Sequence, residues 1–179
     1  MMNGKSTLIV AAMMPALAVV STVATSAQDK YTLKLPDGIA FSDFNGYEDW
    51  QLISTSKTDD RLKVILGNPT IIAAFKSGIP ANGKPFPEGS KIAKVQWKPK
   101  KSTEAPFVVD VPDTLADLFF MEKDSKRFPQ TGGWGYAQFD YDPGSTSYTP
   151  DKGGTPTCGD VCHVKVKAKD YVFHPYQKR

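Results

Sequence analysis

The chain has 179 residues, 40% of them hydrophobic and 23% charged, with a mean hydropathy of −0.34. These figures exclude a disordered, collagenous or polytopic membrane chain and suit one globular domain with a processed segment. The formal net charge of +3 is too small to predict a nucleic-acid or anionic-membrane partner. With two cysteines and two histidines in all, any metal, haem or thiol chemistry must be built from Cys158, Cys162, His163 and His174.

At the N-terminus, Lys5 precedes a run of mostly small apolar residues over 7–24, and Thr25 and Ala27 stand at the −3 and −1 positions of a cleavage site. This is the pattern of a secretory signal peptide. Pro15, with Ser21 and Thr22 after Val20, weakens the alternative of a membrane anchor, which wants about 20 strongly apolar residues. The expectation is a signal peptide over 1–27 and a single domain over 28–179 in an exported, periplasmic compartment. A chain of about 150 residues buries roughly 68–70% of its unfolded surface, enough for a core without staples. An oxidising compartment also lets a cysteine pair persist as a disulfide or be captured by other chemistry.

Further along, Phe44, Tyr47 and Trp50 recur every third residue, predicting a short helix over 43–53 with Asp43 near its start. LKVIL at 62–66, bounded by Gly67-Asn68, reads as a strand. Asn68 as N-cap, Pro69 at the first helical position and Gly78 as the stop define a helix. The Pro- and Gly-rich stretch 78–89 reads as a surface loop. KIAKVQW at 91–97 alternates, with Ala93, Val95 and Trp97 on one face and Ile92, Lys94 and Gln96 on the other. KPKK at 98–101 reads as a turn-like exit. Strands follow over 115–121 and 134–141, and a polar loop over 142–157. The strands lie too close together for βαβ crossovers, so the expected class is α+β, a mainly antiparallel sheet flanked by short helices.

The chemistry-bearing string is Cys158-Gly159-Asp160-Val161-Cys162-His163. In c-type cytochromes two thiols add across haem vinyl groups and the adjacent histidine ligates the iron, normally as C-x-x-C-H. Here three residues separate the cysteines, so the extra residue must bulge out, and Gly159 and Asp160 are tolerant of that. The alternative at this point is a local Cys158–Cys162 disulfide, closing a small loop with modest entropic effect. A zinc site is disfavoured because a fourth ligand would have to be recruited from few candidates.

KDSKRF at 123–128, Gly132-Gly133-Trp134-Gly135, the Cys-His pair and KAKDYVF at 167–173 fall in one order along the chain. In this the chain resembles the cytochrome P460 family, which includes the cytochromes c′-beta, over roughly residues 31–176. The resemblance implies a mainly antiparallel α+β fold, a homodimer and one covalent haem c. It implies Cys158 and Cys162 as thioether cysteines and His163 as the proximal iron ligand. The opposite side of the iron would be open to a small nitrogen ligand such as nitric oxide or hydroxylamine.

By the same resemblance Lys94, in EGSKIAKVQ, matches a strand lysine bonded to the haem ring in the P460 enzymes. Such a lysine must be deprotonated to add to the ring, so desolvation must lower its pKa. Where hydroxylamine-oxidising members place a carboxylate, this chain has Phe119, which can shape access to the iron but cannot accept a proton. Lys63 stands where those enzymes carry an arginine. His174 is expected at the surface and Met121 in the core. The resemblance therefore points to an iron-containing cytochrome binding nitric oxide. The alternatives are a hydroxylamine oxidoreductase passing electrons to a redox partner, and a haem-free exported domain with a local disulfide.

Overall fold

The structure is a computed structural model in which residues 27–179 are described; the expected signal peptide lies, but for Ala27, outside the described residues. Six strands form one antiparallel sheet in the order β1-β2-β3-β4-β5-β6. They are β1 (Gln51–Thr58), β2 (Arg61–Gly67), β3 (Lys91–Ser102), β4 (Val109–Lys123), β5 (Trp134–Asp142) and β6 (Ser147–Pro150), and an α-helix, α1 (Pro69–Lys76), lies between β2 and β3. The expected α+β class is the observed one. Among the described residues no helix is long and apolar enough to cross a membrane.

Alternation along the central strands divides the apolar residues between two faces. One face presents Ala93, Val95, Leu118, Phe120, Ala137 and Phe139, covered by Leu35, Ile39, Phe41, Phe44 and Tyr47 of the N-terminal segment. Phe120 lies at its centre, stacked on Phe44 at 4.2 Å and edge-on to Phe41 at 5.3 Å. Burying each such ring contributes about 1.5–3 kcal/mol. The other face presents Ile65, Ile92, Met121 and Tyr136, covered by Ile71 and Ile72 of α1, Phe86, Tyr171 and Val172.

Asn68 caps α1 as expected, its side chain accepting from the Ile71 N–H at 3.1 Å. Gly67 lets the helix close on the sheet: a Cβ there would lie 2.6 Å from Ile71 Cγ2 and 2.8 Å from Ile53 Cδ1.

Three expectations need correction. The helix over 43–53 is two 3-10 turns, Phe41–Phe44 and Tyr47–Asp49, followed by the start of β1. Gly46, at φ 77°, breaks the segment. The three-residue spacing still does what it implied, because Phe44 and Tyr47 are buried and Trp50 packs on the same cluster. KPKK is no exit turn: β3 runs through it to Ser102, paired with Val109–Val111 after a register shift at Pro99. The loop over 142–157 contains β6, whose Tyr148 packs on Tyr141 at 5.0 Å.

Candidate functional site

Cross-strand pairing Ile65–Lys94–Phe119–Gln138 sets these four residues side by side across β2 to β5. Directly paired residues share a face, and this row lies on the face of Ile92 and Met121. A neighbouring row holds Lys63, Gln96, Asp117 and Asp140. Phe119 and Phe120 thus point to opposite sides of the sheet, Phe120 into the core and Phe119 half-exposed.

Opposite this row runs the C-terminal segment. A cavity of about 480 Å³ lies between them, bounded by Lys94, Phe119 and Gln138 below and by Cys158, Cys162 and His163 above. Its volume falls in the range typical of cofactor sites, about 300–1,000 Å³. A wider groove of about 1070 Å³ adjoins it and shares Val172 and His174, but contains neither cysteine nor His163.

The Cys-His string adopts an unusual helix. Pro156–Cys162 is π-helical, and the His163 N–H donates to the Cys158 carbonyl five residues back as well as to that of Gly159. A π-turn holds about one residue more than an α-turn, and such turns recur at functional sites. The extra residue of the widened spacing is therefore absorbed by a wider turn, and both cysteines border the same cavity. Both thiols are free, Cys158 half-buried and Cys162 exposed. Gly159 is not a projecting bulge. It is buried underneath, where a Cβ would lie 2.8 Å from Thr131 Cγ2 and 3.0 Å from Tyr136 Cε2.

The imidazole of His163 is held on three sides. Its Nδ1 lies 2.6 Å from the Tyr171 carbonyl, while Tyr136 and Phe173 pack against it at ring-centroid distances of 4.6 and 4.8 Å. A carbonyl only accepts, so Nδ1 carries the proton and Nε2 keeps its lone pair. Burial holds the ring's pKa below the ordinary histidine value, which favours the neutral, ligating form.

Lys94 Nζ sits 3.8 Å from the centroid of the Phe119 ring. Burial, and then the neighbouring Lys63 charge, hold its pKa below the ordinary lysine value. Burial pushes the Cys158 thiol up, opposed by the Lys94 charge. Asp117 is also raised by burial, although Gln96 Nε2 donates to it at 2.5 Å. No carboxylate borders the cavity among the described residues.

Lys94, Phe119, Cys158, Cys162 and His163 are thus brought to one cavity, whereas Lys63 stands in the neighbouring row and does not border it. Met121 is buried as expected, though it also touches the cavity. His174 is half-buried and borders it too, rather than lying free on the surface. Gln138 and Phe173 were missed; the alternation of β5 could have found Gln138, but nothing local marks Phe173.

The cytochrome P460 sequence profile matches residues 44–174, most of the chain. The chain belongs to the cytochrome P460 family. Members of this family are haem proteins, and the residues here fit that group: two thiols and one imidazole lone pair share the border of an apolar cavity of suitable size. The profile spans the Cys-His string, Lys94 and Phe119, and every residue bordering the cavity, from Ile65 to His174, lies within the match. No curated protein matches the chain.

Proposed function

We propose that the protein is an exported monohaem c-type cytochrome, homodimeric, that binds nitric oxide or a related small nitrogen ligand. The observation that carries this reading is the clamped His163, whose Nε2 is kept free beside two thiols on one cavity. Cys158 and Cys162 would each add S–H across one vinyl group, an addition with no leaving group. His163 would supply the proximal nitrogen. When bound, the haem iron supplies a ligand position and one-electron redox chemistry.

The chain's own residues then decide which ligands suit the site. Phe119, from the sheet side, excludes water and offers no hydrogen-bond acceptor. Gln138 is the adjacent polar group, and its amide already donates to Asp140 at 2.7 Å. This environment favours a small, weakly polar ligand over one that must lose protons.

A second reading, hydroxylamine oxidation with electrons passed to a redox partner, is favoured by one observation. Lys94 borders the cavity with a depressed pKa, the state a lysine needs to attack a ring carbon. Against it stands the lack of a bordering carboxylate among the described residues.

The test is the denatured mass and absorption spectrum of the protein made with its own leader and a cytochrome-maturation system. A mass greater by one haem, a Soret band and a nitric-oxide-induced shift are expected, with sedimentation giving a dimer. A colourless chain at its apoprotein mass overturns the reading. A ferrous band displaced to the red that returns to the usual position in Lys94→Ala favours the second reading.

A further inference from the structure

Outside the cavity lining, next in sequence to the Tyr171 carbonyl that holds His163, lies a buried ion pair that the haem reading does not use. Lys123, the last residue of β4, is 5% exposed. Its ammonium donates to Asp170 Oδ1 at 2.9 Å, to Asp170 Oδ2 at 3.1 Å and to the Gly132 carbonyl at 2.8 Å, which uses all three of its protons. Asp170 Oδ2 accepts a further bond from the Phe86 N–H at 2.7 Å. Strand β4 and the loop after α1 thus converge on one carboxylate, and the turn before β5 holds the ammonium. None of these four residues borders the cavity.

Asp170 is followed directly by Tyr171, whose carbonyl holds His163. Both residues are left-handed, at φ 47° and 65°. A non-glycine residue there costs about 1–2 kcal/mol and persists only where its surroundings enforce it. Two enforcing contacts are present. The carboxylate is fixed from two directions, by the Lys123 ammonium and the Phe86 N–H, and the Tyr171 ring is pressed on Gly132, where a Cβ would lie 2.2 Å from Tyr171 Cε2. The left-handed pair reverses the chain so that the Tyr171 carbonyl faces back toward His163.

We propose that the Lys123–Asp170 ion pair is a latch that positions the Tyr171 carbonyl and thereby fixes the tautomer and ligating strength of His163. Lys123 and Asp170 are positioning residues, acting through the backbone rather than touching the haem. A carbonyl accepting from Nδ1–H makes Nε2 more basic, as partners of metal-bound histidines generally do. The part of the proposal that concerns ligating strength rests on His163 being the iron ligand; the part that concerns the tautomer does not.

The test combines Lys123→Met with Asp170→Ala, which removes the latch without leaving a buried charge unpaired. Lys123→Arg is the conservative rescue, since a guanidinium keeps the charge pair and can donate to both Asp170 oxygens. Phe41→Leu, on the opposite face of the sheet, controls for general loosening. Nitrogen-15 NMR of His163 in the haem-free chain reads the tautomer, and the iron–histidine stretching band of the ferrous haem-loaded protein reads ligating strength. In the double variant the ratio of Nε2–H to Nδ1–H forms should rise roughly two- to tenfold, the range spanned by one lost net hydrogen bond. The stretching band should move to lower frequency. Lys123→Arg and Phe41→Leu should leave both near the parent values. A folded double variant with tautomer ratio and band unchanged overturns the latch, as does an equal change in Phe41→Leu. A parent protein with no iron–histidine band overturns the haem reading and with it the claim about ligating strength, while the tautomer ratio still decides the latch.

Discussion

Gly159 is the residue at which sequence and structure assign opposite demands, and its replacement by alanine is the sharpest probe of the Cys-His turn. Within C-x-x-x-C-H a glycine reads as slack that tolerates a bulge. In the fold it is the point where the π-turn touches the sheet, and an added methyl would lie 2.8 Å from Thr131 Cγ2 and 3.0 Å from Tyr136 Cε2. Both neighbours are packed in place. Thr131 Oγ1 donates to the Trp134 carbonyl at 2.5 Å, and the buried Tyr136 ring packs on the His163 imidazole at 4.6 Å. Inserting a methyl into such packing costs about 1–3 kcal/mol. For a domain of this size that lowers Tm by roughly 2–12 °C, at about 2–4 °C per kcal/mol. The turn must also lift, carrying Cys158 and Cys162 away from the sheet, so the fraction of chains with haem attached should fall. The assays are thermal unfolding of the haem-free chain and denatured mass after maturation. Asp160→Ala, at an exposed position of the same turn, is the control and should stay within about 0.5 kcal/mol. If Gly159→Ala melts and loads like the parent, the close approach does not constrain the turn and the argument fails.

Other expectations follow from the two-faced sheet and the buried amine. Phe120→Ala should destabilise by about 3–5 kcal/mol, because its ring fills the aromatic core, whereas Phe119→Ala should cost far less and act on ligand access. Denaturant unfolding of both, set against nitric oxide on-rates of the haem-loaded forms, separates these roles; similar losses of stability would contradict the assigned faces. Lys94→Met should stabilise the haem-free chain at neutral pH, because the folded state disfavours the ammonium. The sign follows from the depressed folded pKa. Below it both states are protonated and the penalty is complete, and between it and the unfolded value the penalty fades as pH rises. The gain in Lys94→Met should accordingly shrink toward pH 10.5, and a gain that is flat with pH would refute the desolvation argument.

Much of the molecule was legible in the chain because its information is local. The alternation of 91–97 assigned Ile92 and Lys94 to one face and Ala93 and Val95 to the other, since successive side chains of a strand point apart. Asn68-Pro69 announced α1 through a cap and a preset φ. The string from Cys158 to His163, with the ordered motifs around it, named the cavity's reactive residues. What the chain alone left open required partners distant in sequence. Whether 43–53 became a helix depended on burying Phe44 and Tyr47 against Phe120, about 75 residues away, and two 3-10 turns meet that demand as well as a helix does. The widened cysteine spacing is taken up in a π-turn whose Gly159 packs against Thr131 and Tyr136, residues more than 20 positions away. The tautomer of His163 was decided by a carbonyl eight residues on, held in place from β4 and the loop after α1. Periodicity and capping act within a few residues, so the sequence carries them openly; packing and buried charge pairs join segments that only the folded chain brings within contact.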